Sequence, residues 1–105
     1  MTENKYQAEL IKRLHNIFPG CVVLKNDSSL VQGIPDLIIL FNDKWAMLEV
    51  KASERSREQP NQDYFVDLLD SMSFAAFIYP ENEDEVLYAL QQTFRPRRVT
   101  RVSQR

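Results

Sequence analysis

Gly33-Ile34-Pro35-Asp36-Leu37-Ile38-Ile39-Leu40, followed after Asn42-Asp43-Lys44 by Trp45-Ala46-Met47-Leu48-Glu49-Val50-Lys51, decides the fold. Each long run has the composition of a β-strand, and the polar segment between them makes the pair a hairpin. In the second run Ala46, Leu48 and Val50 share one face, while Trp45, Met47, Glu49 and Lys51 share the other. Leu37 to Leu40 is apolar on both sides, as in a central strand covered by helices. Pro35 suits the first position of a strand, because it has no N–H to give to a ladder. Asp36 opens its strand, so two carboxylates and one ammonium converge at one end of the hairpin.

Outward from the hairpin, Tyr6, Leu10, Leu14 and Ile17, with Ile11 and Phe18 beside them, recur at helical spacing. They predict a helix over 3–18, stopped by Pro19-Gly20. Glu3, Gln7 and Leu14 project along nearly one line of its apolar face, so Glu3 and Gln7 need polar partners there or bond the backbone. Cys21 to Leu24 is a short strand, and 25–33 is a polar loop. Residues 52–60 form a charged connection, and Pro60 falls in the first turn of a second helix over 61–71. Phe74 to Tyr79 is a fourth strand. A third helix covers 81–94, with acidic residues in the first turns, where the helix dipole favours them. The element order is αβββαβα, an α/β layer structure in a domain over 1–94, followed by a basic tail over 95–105.

The chain has 105 residues, room for one small core, and 44% apolar with 27% charged residues suits a globular domain. No apolar run is long enough to span a bilayer, and the first residues lack the layout of a signal peptide. With Cys21 alone there is no disulfide framework, so a reducing, cytoplasmic setting is expected. Net charge is −2, but residues 1–94 carry −7 and the last eleven carry +5, from Arg95, Arg97, Arg98, Arg101 and Arg105. Such asymmetry is a footprint of nucleic-acid contact and equally the signature of a solvated tail. His15 lies off the apolar face as a surface residue, and Cys21 reads as a small buried hydrophobe.

Carboxylates from neighbouring strands make a hard oxygen site suited to Mg²⁺ or Mn²⁺ rather than zinc. The Val50 carbonyl, between Glu49 and Lys51, offers a further oxygen. A metal held there makes a bound water easier to deprotonate, and Lys51 is placed to orient that water or to neutralise charge on a phosphorane. Glu-x-Lys by itself is commonly a solvated surface pair. Its conjunction with Gly-Ile-Pro-Asp, an apolar strand and a turn is far more specific.

That conjunction resembles the PD-(D/E)xK nuclease signature, with Pro35-Asp36 and Glu49-Val50-Lys51 matching it residue for residue. Over about residues 3–90 the chain is similar to small stand-alone virus-type replication-repair nuclease (VRR-NUC) domains, with archaeal Holliday junction resolvases as more distant relatives. The match includes Glu3 and Gln7 on the first helix and a glutamine in Gln62-Asp63-Tyr64-Phe65. Family members usually carry Ser-x-x-Gln at that last place; here Asn61 precedes Gln62 and Gln59 lies three residues back. Gln62 is the better match, and Glu3 is preferred to Glu9 as the helix acid.

The resemblance implies a restriction-endonuclease-like fold, a central mixed sheet flanked by helices. It also implies a Mg²⁺-dependent, structure-selective DNA endonuclease acting on branched or Holliday-junction DNA, in which Mn²⁺ substitutes. Asp36 and Glu49, with Val50, hold the metal, Lys51 is the catalytic lysine, and Gln62, Glu3 and Gln7 complete the site. The expected assembly is a homodimer, in a host-cell cytoplasm if phage-encoded, with no organic cofactor and no membrane. Lys25, Ser28, Arg55 and Arg57 are expected to grip phosphates, and Arg95, Arg97 and Arg98 to extend that grip. The alternatives are a catalytically idle nucleic-acid-binding module of the same fold and a nuclease of restriction or toxin type.

Overall fold

The computed structural model describes residues 1–96; Arg97 and Arg98, with the rest of the expected basic tail, lie outside the described residues. Eight elements follow in chain order: α1 (Glu3–Ile17), β1 (Val22–Lys25), β2 (Leu37–Phe41), β3 (Lys44–Val50), α2 (Gln62–Met72), β4 (Ala75–Ile78), a 3-10 turn (Pro80–Asn82) and α3 (Glu83–Thr93). The sheet order is β1-β2-β3-β4. β1, β2 and β3 are antiparallel in turn, and β4 is parallel to β3. The sheet is therefore mixed, and α2 is the crossover that a parallel pair requires.

The alternation along β3 divides the interior. Ala46, Leu48 and Val50 face a core built with Tyr6, Leu10 and Leu14 of α1 and Val86, Leu87 and Leu90 of α3. Trp45 and Met47 face the opposite way, toward Val66, Leu69 and Phe65 of α2. Helices thus lie on both faces: α1 and α3 cover one, and α2 covers β3 and β4 on the other, leaving Leu40 of β2 exposed. The two helices of the first layer are also tied by charge: Tyr6 Oη donates to Glu83 Oε1 at 2.7 Å, and Arg13 Nε lies 2.7 Å from Glu83 Oε2. Among the described residues no helix is long and apolar enough to cross a membrane.

Three local readings change. The hairpin turn is only Asn42-Asp43, because Phe41 pairs with Lys44 and Asn42 takes a left-handed φ of 56°. Such two-residue turns match the twist of antiparallel strands and favour Asn or Gly at positive φ. Pro60 lies outside α2, whose N-cap is Asn61 at φ 70°. The third helix, expected over 81–94, is shorter: a 3-10 turn over Pro80–Asn82 takes its start, and α3 runs Glu83–Thr93. At the other end Thr2 caps α1, its hydroxyl accepting from the Lys5 N–H at 3.1 Å.

Candidate active site

The two-residue turn sets the register, and the register sets the site. Leu37 pairs with Leu48, so one step further Asp36 stands opposite Glu49. Lys25 pairs with Leu37, and the Asn26 N–H donates to the Asp36 carbonyl at 2.8 Å, which continues that ladder by one step. Residues directly opposite in antiparallel strands share a face. Asn26, Asp36 and Glu49 therefore form a row across three strands, with Phe77 of β4 paired to Glu49. The row lies on the α2 face, where Lys51 follows Glu49.

Two like charges directly opposite on a sheet repel, and the neighbourhood answers that repulsion in part. One Asp36 oxygen, Oδ2, accepts the Val50 N–H at 2.9 Å. Glu49 is 2% exposed; its Oε2 accepts from Gln62 Nε2 at 2.8 Å and lies 3.6 Å from Lys51 Nζ. Its other oxygen, Oε1, is buried without a hydrogen-bond partner. Burial, reinforced by the Asp36 charge, pushes the Glu49 carboxyl up to about 8 despite the nearby ammonium.

Lys51 is likewise buried. Its Nζ donates to Gln62 Oε1 at 2.8 Å and to the Arg57 carbonyl at 3.0 Å. Gln62 is thus a two-sided clamp: its amide nitrogen serves the carboxylate, and its oxygen serves the ammonium and the Gln59 N–H. Only one orientation of the amide satisfies all three bonds. Gln62 reaches this place because it opens α2, and α2 is held against the 33–36 segment by a close approach. Gly33, at φ 91°, lies so near Asn61 that an added Cβ would be 2.6 Å from the Asn61 Cβ.

The remaining candidates divide. Glu3 is exposed at the start of α1, yet burial of its carboxyl and the Asp36 charge raise its pKa, while the Lys51 charge opposes them. Glu3 is thus within electrostatic reach of Asp36 and Lys51, with no hydrogen bond to either among the described residues. Glu9 instead lines an open cleft with Tyr6, Arg13 and Glu83. Gln7 is buried at 6% exposure. Ser28 lines a cleft of about 320 Å³ with Gln32, Gly33, Asp36, Gln59 and Gln62, so this opening borders the Asp36 side of the row. A smaller one of about 140 Å³, lined by Lys51, Ser53, Ser56, Glu58 and Tyr79, borders the other side. Lys25, Arg55, Arg57 and Arg95 are exposed. Arg57 meets the site through its backbone, not its guanidinium. Away from it, His15 is exposed and Cys21 buried, with Cys21 Sγ 3.7 Å from His15 Nδ1.

Among the described residues no group of three or more His, Cys, Asp or Glu is gathered to hold a metal ion. Two carboxylates stand opposite each other, one with a buried and unshared oxygen. The Val50 N–H already addresses Asp36, and in extended backbone the carbonyl of the same residue leaves toward the same neighbour. This donor set is all oxygen, the kind that hard divalent cations take. Sequence reading missed Asn26 and the Gly33–Asn61 approach; the first has no motif and the second joins segments nearly thirty positions apart. No family model, curated protein or solved structure matches this chain.

Proposed function

We propose that this chain is a divalent-metal-dependent DNA endonuclease of restriction-endonuclease-like fold, selective for branched DNA. The observation that carries the reading is the row of Asp36 and Glu49 with Lys51 and Gln62 beside them, one carboxylate oxygen buried and unshared. Asp36, Glu49 and the Val50 carbonyl would hold Mg²⁺, or Mn²⁺ in its place. Bound there, the ion supplies Lewis acidity and a more readily deprotonated water.

The chain's own residues supply the rest. The reaction adds water across a P–O bond: a new bond forms from water oxygen to phosphorus, the bond to one sugar oxygen breaks, and that oxygen leaves with a proton. Lys51 is fixed by Gln62 and the Arg57 carbonyl, so its positive charge is already oriented when negative charge builds on the phosphorus oxygens. Gln62 keeps Glu49 and Lys51 apart from direct pairing at full strength, since its amide takes the shorter bond to each. Gln7 and Glu3 extend the polar wall from α1. Lys25, Ser28, Arg55, Arg57 and Arg95, with Arg97 and Arg98, hold the flanking phosphates. A homodimer would bring two such sites to one junction; Val22, Leu24 and Leu40, exposed on the part of the sheet that α2 leaves open, support that assembly.

The test is cleavage of junction, flap, nicked, single-stranded and linear duplex DNA with Mg²⁺, with Mn²⁺ and with chelator. Wild type should cut branched DNA only when the metal is present. Asp36→Ala and Lys51→Ala should each lower turnover at least about a hundredfold while keeping a cooperative melt. Cutting that survives both substitutions removes the site. Binding of DNA without cutting leaves the idle module, and preference for linear duplex leaves the restriction or toxin reading.

A further inference from the structure

We propose that Asn26 is a positioning residue: its side-chain amide holds the Pro35–Asp36 peptide so that the Asp36 carboxylate faces Glu49. The catalytic consequence rests on the nuclease reading; the bond itself does not. Along β1 the face shared with Asp36 carries Val22 and Leu24, and the next residue on that face is Asn26. An apolar side chain would continue the pattern. An amide stands there instead, half-buried, beside the first residues of β2.

Asn26 grips two successive carbonyls. Its backbone N–H donates to the Asp36 oxygen at 2.8 Å, and its Nδ2 donates to the Pro35 oxygen at 2.9 Å. Nδ2 also lies 3.7 Å from Met47 Sδ, a weak acceptor on β3. Pro35 has no N–H, so the peptide leading into β2 lacks one of the anchors a strand ordinarily has. The Asn26 amide holds the one backbone hydrogen-bonding group that Pro35 has, its carbonyl. Fixing the plane of the Pro35–Asp36 peptide fixes the direction in which the Asp36 side chain leaves the backbone. The Val50 N–H then meets the carboxylate at 2.9 Å. One end of Asp36 is thus set by Asn26 and the other by β3.

Asn26→Ala removes the side-chain bond and leaves the backbone bond to Asp36 in place. In metal-free protein, the Val50 amide proton reports the Asp36 carboxylate directly. Its exchange with solvent should speed about tenfold in Asn26→Ala, and its resonance should move toward the position of an unbonded amide. Mn²⁺ binding, followed by the ion's own magnetic resonance signal, should weaken about 10- to 100-fold, the range for loss of a partner that orients a ligand. Asn26→Gln, which keeps the donor, should recover most of both. Should Asn26→Ala fail to fold, Asn26→Ser takes the same measurements.

A Val50 amide unchanged in Asn26→Ala, or in Asn26→Ser where alanine does not fold, overturns the proposal, and so does a loosened amide with undiminished Mn²⁺ affinity. A merely structural role would lower the melting temperature without selective change at Val50. If wild type neither binds Mn²⁺ nor cuts DNA while the Val50 amide still responds, the nuclease reading fails and the positioning bond stands.

Discussion

At the scale of the residue, Glu49 is a buried carboxyl facing a second carboxylate across the ladder. Its carboxyl is raised from an ordinary 4.5 to about 8, first by burial and then by Asp36 across the ladder. A folded-state pKa above the unfolded one means that the native protein keeps a proton which the unfolded chain has already released. The associated stability is fully present below the unfolded value and is lost as pH rises through the folded one. In chelator, the melting temperature should therefore fall as pH rises from about 5 to about 8. Glu49→Gln should flatten that dependence and melt higher than wild type at the alkaline end, since it keeps the Gln62 bond without the charge. Mn²⁺ should raise the wild-type melting temperature at the alkaline end much more than at the acidic one, and leave Glu49→Gln nearly unmoved. Scanning calorimetry across that range checks all three. A melting temperature independent of pH in chelator would show that Glu49 does not retain its proton.

At the scale of the element, the site depends on how the 33–36 segment meets the start of α2. Gly33 and Gly20 both have strongly positive φ, 91° and 89°. Gly20 has open space where a Cβ would go, whereas at Gly33 the Cβ would meet the side chain and backbone of Asn61 within 3 Å. Gly20→Ala should thus cost only the left-handed strain, about 1–2 kcal/mol. Gly33→Ala adds an overlap worth about 1–3 kcal/mol more. It should also pull Gln62 from Glu49 and Lys51, so cleavage falls more than stability accounts for. Urea unfolding of both variants, beside their cutting rates at a temperature where each is folded, separates the two costs. Equal effects from the two glycines would mean that the Asn61 approach does not govern the site.

The same elements differ in how plainly the chain announces them. The two faces of β3 follow from alternation, and α1, α2 and α3 follow from helical spacing, because both patterns are local. The opposition of Asp36 and Glu49 depends on the turn being two residues long. Counting Lys44 as turn rather than strand leaves the register open, and a one-step slip moves every side chain to the other face. Nothing local reveals Asn26, whose partners are Pro35 and Asp36, or the role of Gln62, which is set by where α2 begins. Gln59, three residues earlier, contributes its backbone N–H instead.

At the scale of the whole molecule, charge and topology separate two jobs. β2 runs from the Asp36 end of the sheet to Phe41, about 17 Å away at the ordinary rise of a strand. Phe94, at the end of α3, packs its ring against Phe18 and Phe41 at centroid distances of 5.1 and 5.7 Å. The chain therefore reaches Arg95 at the far end of the sheet from Glu49 and Lys51. Residues 1–94 carry −7, and the five arginines beyond them carry +5. On the proposed nuclease function, a polyanion approaching the acidic body would meet attraction from the arginines beyond residue 94, while Asp36, Glu49 and Lys51 belong to the body. Changing Arg95, Arg97, Arg98, Arg101 and Arg105 to Gln should then weaken DNA binding and flatten its salt dependence, by up to about 0.7–0.9 in slope for each phosphate that is no longer neutralised. Turnover at saturating DNA should stay within about twofold, because a uniform loss of binding raises KM without touching kcat. Binding and cutting measured over a range of salt concentrations decide the matter. A fall in kcat with KM unchanged would place the arginines at the scissile phosphate, and an unaltered salt slope would give them no part in holding DNA.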